Sequence, residues 1–160
     1  MRITKHHVFF WRGVFSQWHL CNFVVNEVQY NCAEQFMMAS KAKLFNDLES
    51  LEKIMNTNDP RQQKKIGRNV KGFNKDVWDA NAKSIVFTGN KAKFEQNQEL
   101  KLELLSTENK VLVEASPYDK IWGVGLEEAD DRILDPANWQ GTNWLGEVLT
   151  NLRNVMKNEQ

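Results

Sequence analysis

Glu34 and Lys41 stand seven residues apart in the stretch 31–45, which reads as one helix of good formers without glycine or proline. On a 3.6-residue period that spacing puts an acid and an amine on one face, two turns apart. Met37 and Met38 lie between or beside them, and Phe36, Leu44 and Phe45 are available for a core. A carboxyl group can move protons and an amine can serve as a covalent nucleophile, so this face holds the parts a small enzyme uses. A structural reading is open for the same residues. Asn31 is placed to cap the first turn, and Asn31-x-x-Glu34 has nearly the spacing of a capping box in which the glutamate returns to the first backbone N–H. Lys41 would then be a solvated lysine.

Other groups in the chain suit a nucleotide. There are six tryptophans in 160 residues, and an indole serves either a core or a stacking surface. Trp18 lies in the loop 15–18 after the first apolar run, and Trp78 sits in a helical stretch. Trp122 belongs to the loop 116–125, with Asp119, Gly123 and Gly125. Loops are where chemistry is exposed, and glycines let backbone N–H groups approach phosphate or ribose. A tight turn with Trp122 as a core plug explains the same loop equally well. No Walker loop, dinucleotide fingerprint, zinc spacing or nucleophile elbow is present. His6, His7 and His19 have no partner at metal spacing, so neither a metal nor another cofactor is expected.

The elements that must position these groups form one domain, residues 1–160, long enough to bury a core. Residues 8–11 read as a short strand and residues 23–30 as a hairpin turning at Asn26-Glu27. A helix follows at 47–55. Another begins at Pro60 with Asp59 as its cap, presents Lys64, Lys65 and Arg68 as a solvated basic face, and ends near Gly72. Gly67 beside Arg68 hints at a close approach. Asn74 caps a helix carrying Val77, Trp78, Asn81 and Ile85, with an interruption expected at Gly89-Asn90. A short helix starts at Asn97, and 111–115 reads as a buried strand. After the acidic stretch 127–135 comes a second aromatic and glycine loop, 138–146. Thr142 or Asn143 then caps a last helix whose core side is Leu145, Val148, Leu149, Leu152, Val155 and Met156.

Charge and cysteine usage exclude some functions. Lys plus Arg and Asp plus Glu both number 21, a net charge of +0, so there is no broad basic field for gripping duplex nucleic acid, although a local basic pocket remains open. Cys21 and Cys32 lack metal spacing, and with no leader sequence they point to a reducing, cytoplasmic location. No apolar run approaches a membrane span.

Seven short motifs stand in order along the chain. Phe15-Ser16-Gln17-Trp18, the Ala33-Glu34-x-Phe36-x-x-Ala39-x-Lys41-Ala42 helix, Asp59-Pro60 with Lys65-x-Gly67-Arg68, and Lys93-Phe94-x-Gln96-Asn97 occur in sequence. Leu112-Val113-Glu114, Asp119-x-x-Trp122-Gly123-x-Gly125 and Trp139-x-Gly141-x-Asn143-x-Leu145-Gly146 complete the set, which spans about residues 9–156. In that order they resemble the NADAR, or YbiA-like, family, and the resemblance implies a compact, mainly α-helical domain with a small β-hairpin and short strands. It also implies metal-independent hydrolysis of N-glycosidic bonds, with Glu34 and Lys41 as the functional acid and lysine. Asp119 and Trp122 become binding residues and Trp78 a further pocket aromatic. Trp18, Gly123, Gly125 and Asn143 are carried with them as substrate-binding candidates. Two departures stand out: Gln35 where many relatives have His, and Asn31-Cys32 in place of a Pro or Ser/Thr lead-in.

The resemblance implies one of two substrates: ADP-ribose linked to guanine, which is the leading reading, or a phosphoribosyl intermediate of riboflavin synthesis. The partner is accordingly a small nucleotide-like molecule or ADP-ribosylated nucleic acid, and the protein is expected to act as a monomer. In one mechanism Glu34 activates water as the sugar gains oxocarbenium character. In the other Lys41 captures C1′ as a Schiff base. A non-catalytic module that binds ADP-ribose-like ligands is the rival, but it makes no use of Glu34 and Lys41 on a common face.

Overall fold

The computed structural model describes residues 1–159. Helices dominate, with short strands, in a small mixed α/β arrangement that agrees broadly with the mainly α expectation. Within the stretch read as one domain the backbone forms two compact units, residues 17–97 and residues 1–16 with the chain from Gln98 onward.

In the 17–97 unit the hairpin pairs β3 (Phe23–Val25) with β4 (Val28–Tyr30), Phe23 opposite Tyr30. Asn26 and Glu27 both take left-handed φ values, 50° and 68°. That is the two-residue turn whose twist matches the strands, achieved although Glu is a poor residue for it. The hairpin leads into α1 (Ala33–Leu44), around which α2 (Leu48–Met55), α3 (Pro60–Arg68) and α4 (Lys75–Glu95) are packed. Most of α1 through Ala39, and Ala42 beyond it, is buried, as befits a helix surrounded by others. Leu44, expected in the core, is instead 37% exposed at its C-terminal end.

Two other expectations need correction. No break occurs at Gly89-Asn90; α4 continues through both. A Cβ at Gly89 would lie 2.5 Å from the Phe36 ring, so this glycine lets α4 approach α1. Asn90 is buried, donating to the Val86 carbonyl at 2.9 Å and to Gln17 Oε1 at 2.8 Å. The helix α3 stops at Arg68 rather than near Gly72. The Lys71 N–H is drawn out to Asp47 Oδ2 at 2.9 Å. Asp47 also caps α2 through Ser50, and these hydrogen bonds, Ser50 first, hold its carboxyl down at about 2.

Asp59 caps α3 as expected, accepting from Arg61 N at 2.9 Å, with Pro60 in the first turn. Asp59→Ala is expected to cost on the order of 1 kcal/mol in denaturant unfolding and to leave turnover per folded molecule intact. A selective catalytic defect would give this turn a role beyond capping.

The other unit is built on a three-stranded sheet in the order β1 (Arg2–Ile3), β2 (His7–Phe10), β5 (Val111–Glu114). β2 and β5 are parallel, with Val8 opposite Leu112, so the chain has to make a long excursion between them. The outer edge of β5 is covered by side chains of the last helix, α6 (Trp144–Asn158), and its lead-in. Thr150 Oγ1 accepts from Leu112 N, while Asn143 Oδ1 accepts from Glu114 N and its Nδ2 donates to Leu112 O. An edge strand is thereby closed without another strand. Gly146 permits this, because a Cβ there would run into the Leu112 carbonyl. Phe9, Val113, Ala115, Val124, Leu126 and Ile133 form the core beside the sheet.

In α6 the expected buried stripe is present except for Val155, which is 38% exposed. Arg153 is buried instead, its guanidinium donating to Thr107 Oγ1 and the Lys110 carbonyl. Neither proposed residue caps α6 through its side chain: Asn143 holds the N-cap position with a left-handed φ of 53°, but its amide is bonded to β5, and Thr142 Oγ1 donates to the Ile121 carbonyl. A short helix α5 (Gln98–Leu105) contacts α6.

Candidate active site

The start of α1 fixes the local surroundings of Glu34. Cys32, not Asn31, is the N-cap, its sulfur accepting from Gln35 N at 3.4 Å. Gln35 Oε1 returns to accept from Asn31 N at 2.8 Å. Cys32 and Gln35 therefore supply the side-chain bonds at the start of the helix, the Gln35 amide reaching the Asn31 N–H before the cap rather than the cap's own N–H, and Glu34 is in neither bond. Asn31 bridges elsewhere, donating to Asn58 O at 2.6 Å and accepting from Gln63 Nε2 at 3.0 Å. The Glu34 N–H donates to the Gln17 carbonyl at 2.9 Å, which fixes the segment before Trp18 against the first turn of α1.

Glu34 is only 3% exposed. Two turns on, Lys41 is half-buried, with its amine 4.7 Å from the Phe73 ring centre and 5.5 Å from that of Trp78. Burial lowers the lysine's affinity for its proton, Arg68 lowers it further, and the Glu34 carboxylate opposes both; the net direction is down. Aromatic faces tolerate a cation yet provide little hydration, in keeping with burial as the largest cause of that shift. Trp78 is buried beneath, whereas Trp18 is 38% exposed and carries the Lys64 amine 5.8 Å above its ring.

Glu34, Lys41, Trp18 and Trp78 thus fall in one unit. Asp119, Trp122, Gly123, Gly125 and Asn143 fall in the other. There the loops 116–125 and 138–146 are joined by backbone bonds from Gln140, Thr142, Asn143, Trp144 and Leu145 to residues 120–124. Asp119 Oδ1 accepts from Ile121 N at 2.9 Å and Trp122 N at 2.8 Å. Trp122 is half-buried and meets Trp144 edge to face at 5.5 Å. A Cβ at Gly123 would lie 2.9 Å from the Glu114 carbonyl, and Gly125 has a φ of +71°. Loop geometry alone accounts for both glycines.

Sequence reasoning missed Phe73, which carries no signal beyond standing next to the Asn74 cap. It also missed Lys93, wholly buried on α4 with its amine 5.0 Å from the Phe94 ring centre. Burial pushes this lysine down to about 8, against the influence of the Cys21 and Cys32 thiols. The unfolded chain then holds the Lys93 proton up to its ordinary 10.5 while the folded chain releases it near 8. Folding is accordingly disfavoured by about 3 kcal/mol below pH 8, and stability is recovered as pH rises toward 10.5. Cys32, pushed up to about 12 by burial, works the opposite way above pH 9. In urea unfolding at pH 7 and pH 9, wild-type stability relative to Lys93→Met should rise with pH. An unchanged difference would mean that Lys93 stays charged when buried.

Among the described residues no group of three or more His, Cys, Asp or Glu side chains is placed to hold a metal ion. Nor is any described helix long and apolar enough to cross a membrane.

Comparison with known proteins covers nearly the whole chain. The NADAR domain profile matches residues 9–157. "N-glycosidase R617" of Acanthamoeba polyphaga mimivirus is 46% identical over 146 residues, 88% of this chain and 85% of that protein. "N-glycosidase YbiA" of Shigella sonnei is 28% identical over 148 residues, 92% and 84% of the two chains. The NMR structure of the E. coli protein YbiA superposes with a TM-score of 0.80 at 25% identity, covering 99% of this chain and 89% of that one.

Proposed function

This chain belongs to the NADAR domain family, and on that premise we propose that it removes ADP-ribose from guanine by hydrolysing the N-glycosidic bond, with Glu34 and Lys41 as its reactive groups. As a family member with N-glycosidase relatives it is a hydrolase of N-glycosyl compounds. The observation that carries the residue assignment is the Lys41 amine, held against Phe73 and Trp78 within the fields of Glu34 and Arg68, and favoured toward its neutral form.

The chemistry follows from that amine. Glu34 in its acid form protonates the ribose ring oxygen, the ring opens, and C1′ is left doubly bonded to the exocyclic nitrogen of the base. Neutral Lys41 adds to C1′, and with proton transfers through Glu34 the C1′–base bond breaks and the amine of the base leaves. The resulting Lys41 Nζ=C1′ imine takes up water, releasing the lysine amine and a ribose aldehyde that recloses. Direct attack by water activated by Glu34 is the alternative route. A cytoplasmic monomer acting without cofactor is part of the same proposal.

Two substrates decide the specificity. Incubation with an ADP-ribosylated guanine oligonucleotide should release unmodified oligonucleotide, and a ribosylamino-pyrimidine phosphate should react more slowly. Reversal of that order would favour the riboflavin-intermediate reading; ligand binding without release of base from either would favour the binding module.

Trp122 and Asp119 are proposed to bind the nucleotide. Trp122→Ala is expected to weaken substrate binding by about 1–3 kcal/mol, the scale of a lost stacking indole. Unchanged affinity with a collapsed melting transition would make Trp122 a core plug. Asn143, whose amide is bonded to β5 at both ends, is assigned the positioning of its loop.

A further inference from the structure

The helices α1 and α3 lie side by side in matched order. Gln63 Oε1 accepts from the Cys32 thiol at 3.1 Å at the start of both helices. Further along, Gly67 sits so close to Met38 that a Cβ would run into the methionine sulfur. The residue after each contact on α3 is a cation: Lys64, then Arg68 one turn later. Lys64 is held over Trp18, whose segment is bonded to Glu34 N, so it lies toward the Glu34 end. Arg68 lies toward the Lys41 end, close enough for its charge to be felt by that amine.

What sets these two cations apart is their place beside α1, not the lack of a partner, which Lys65 shares. Lys53, Lys75 and Lys91 each pair with an acid four residues away. Neither Lys64 nor Arg68 has an acidic partner among the described residues. Arg68 is exposed and Lys64 half-buried, and side chains four apart on a helix have Cβ atoms about 5–6 Å apart, a span that a single anion bridges. In a chain with net charge +0 this is a local positive edge beside the reactive face.

We propose that Lys64 and Arg68 bind a phosphate attached to C5′ of the ribose whose C1′ is presented to Glu34 and Lys41. This rests on the N-glycosidase reading above and names what that reading leaves open: how the sugar is oriented. An anion held on the α3 edge directs one end of the ribose, leaving the anomeric carbon toward α1. Arg68 offers the paired N–H donors that match phosphate oxygens; Lys64 supplies a point charge steadied by the indole beneath it. A sugar phosphate monoester and the diphosphate of ADP-ribose both carry this group.

The test uses the whole protein with ribose, ribose 5-phosphate and ADP-ribose, titrated calorimetrically into wild type, Lys64→Gln, Arg68→Gln and Lys65→Gln after each has been shown to melt normally. Lys65 is an exposed lysine one position round the same helix and serves as the charge control. Both phosphates should bind wild type and Lys65→Gln more tightly than ribose does. Lys64→Gln and Arg68→Gln should each lose roughly tenfold or more in phosphate affinity, with Arg68→Lys recovering part of it. A loss confined to ribose 5-phosphate identifies a terminal monoester as the ligand; one confined to ADP-ribose identifies a diphosphate. Equal losses in Lys65→Gln, or phosphate affinities indifferent to Lys64 and Arg68, would overturn the site. Phosphate-selective binding that depends on both residues, without release of base from any N-glycoside, would sustain the anion site and sink the glycosidase reading. Release of base with a phosphate preference untouched by either substitution would do the reverse.

Discussion

Glu34→Gln should fold as wild type does and turn over at least roughly a hundredfold more slowly, the usual scale for loss of acid–base help. The substitution keeps the shape of the side chain and an acceptor oxygen but cannot carry a proton to the ring oxygen or the leaving base. The capping explanation makes the opposite prediction, a lower melting temperature with activity per folded molecule near normal. The observed cap weighs against that explanation, since the side-chain bonds at the start of α1 belong to Cys32 and Gln35. Urea unfolding and single-turnover rates on the same preparation separate the two: a destabilised protein with a near-normal rate would remove Glu34 from the chemistry.

Lys41→Arg should bind ligand, release little base and form no covalent adduct. With wild type, borohydride added during turnover should deliver hydride to C1′ of the imine and leave a secondary amine. Intact mass would then show a sugar-nucleotide adduct, and peptide mapping should place it on Lys41. Lys43 is the internal control, because its amine is turned to the opposite side of α1, 3.4 Å from the Tyr30 hydroxyl. An arginine keeps the charge but stays protonated and cannot form the imine. The direction of the lysine's shift adds a pH expectation. If deprotonation of Lys41 limits capture, the rate should rise with pH and level off below the ordinary lysine value of 10.5. Full turnover by Lys41→Arg would eliminate the Schiff base and leave water activated by Glu34.

Much of this molecule is local and could be read from the chain. Asp59-Pro60 and Asn74 start their helices because a short acceptor before a helix satisfies its first free N–H groups whatever lies around it. The 3.6-residue period places Glu34 and Lys41 on one face of α1, and the ordered motifs from residue 9 onward identify the family.

What the sequence could not determine depends on neighbours distant in the chain. Gly89 looked like a helix breaker, but local propensity gives way to a close contact with Phe36 on another helix. Asn31 looked like the cap, but its side chain has partners near residues 58 and 63, and the thiol of Cys32 takes the position. Asn143 was read as a cap or a ligand contact, and the open edge of β5 engages its amide at both ends. Lys64 and Arg68 looked like a solvated face, and only the matched order of α3 beside α1 sets them along the helix that carries Glu34 and Lys41. Lys41 itself is identical in sequence whether inert or reactive. Its tendency to lose a proton comes from burial and the Arg68 charge, opposed by the Glu34 carboxylate, and those are produced by packing rather than by spacing along the chain.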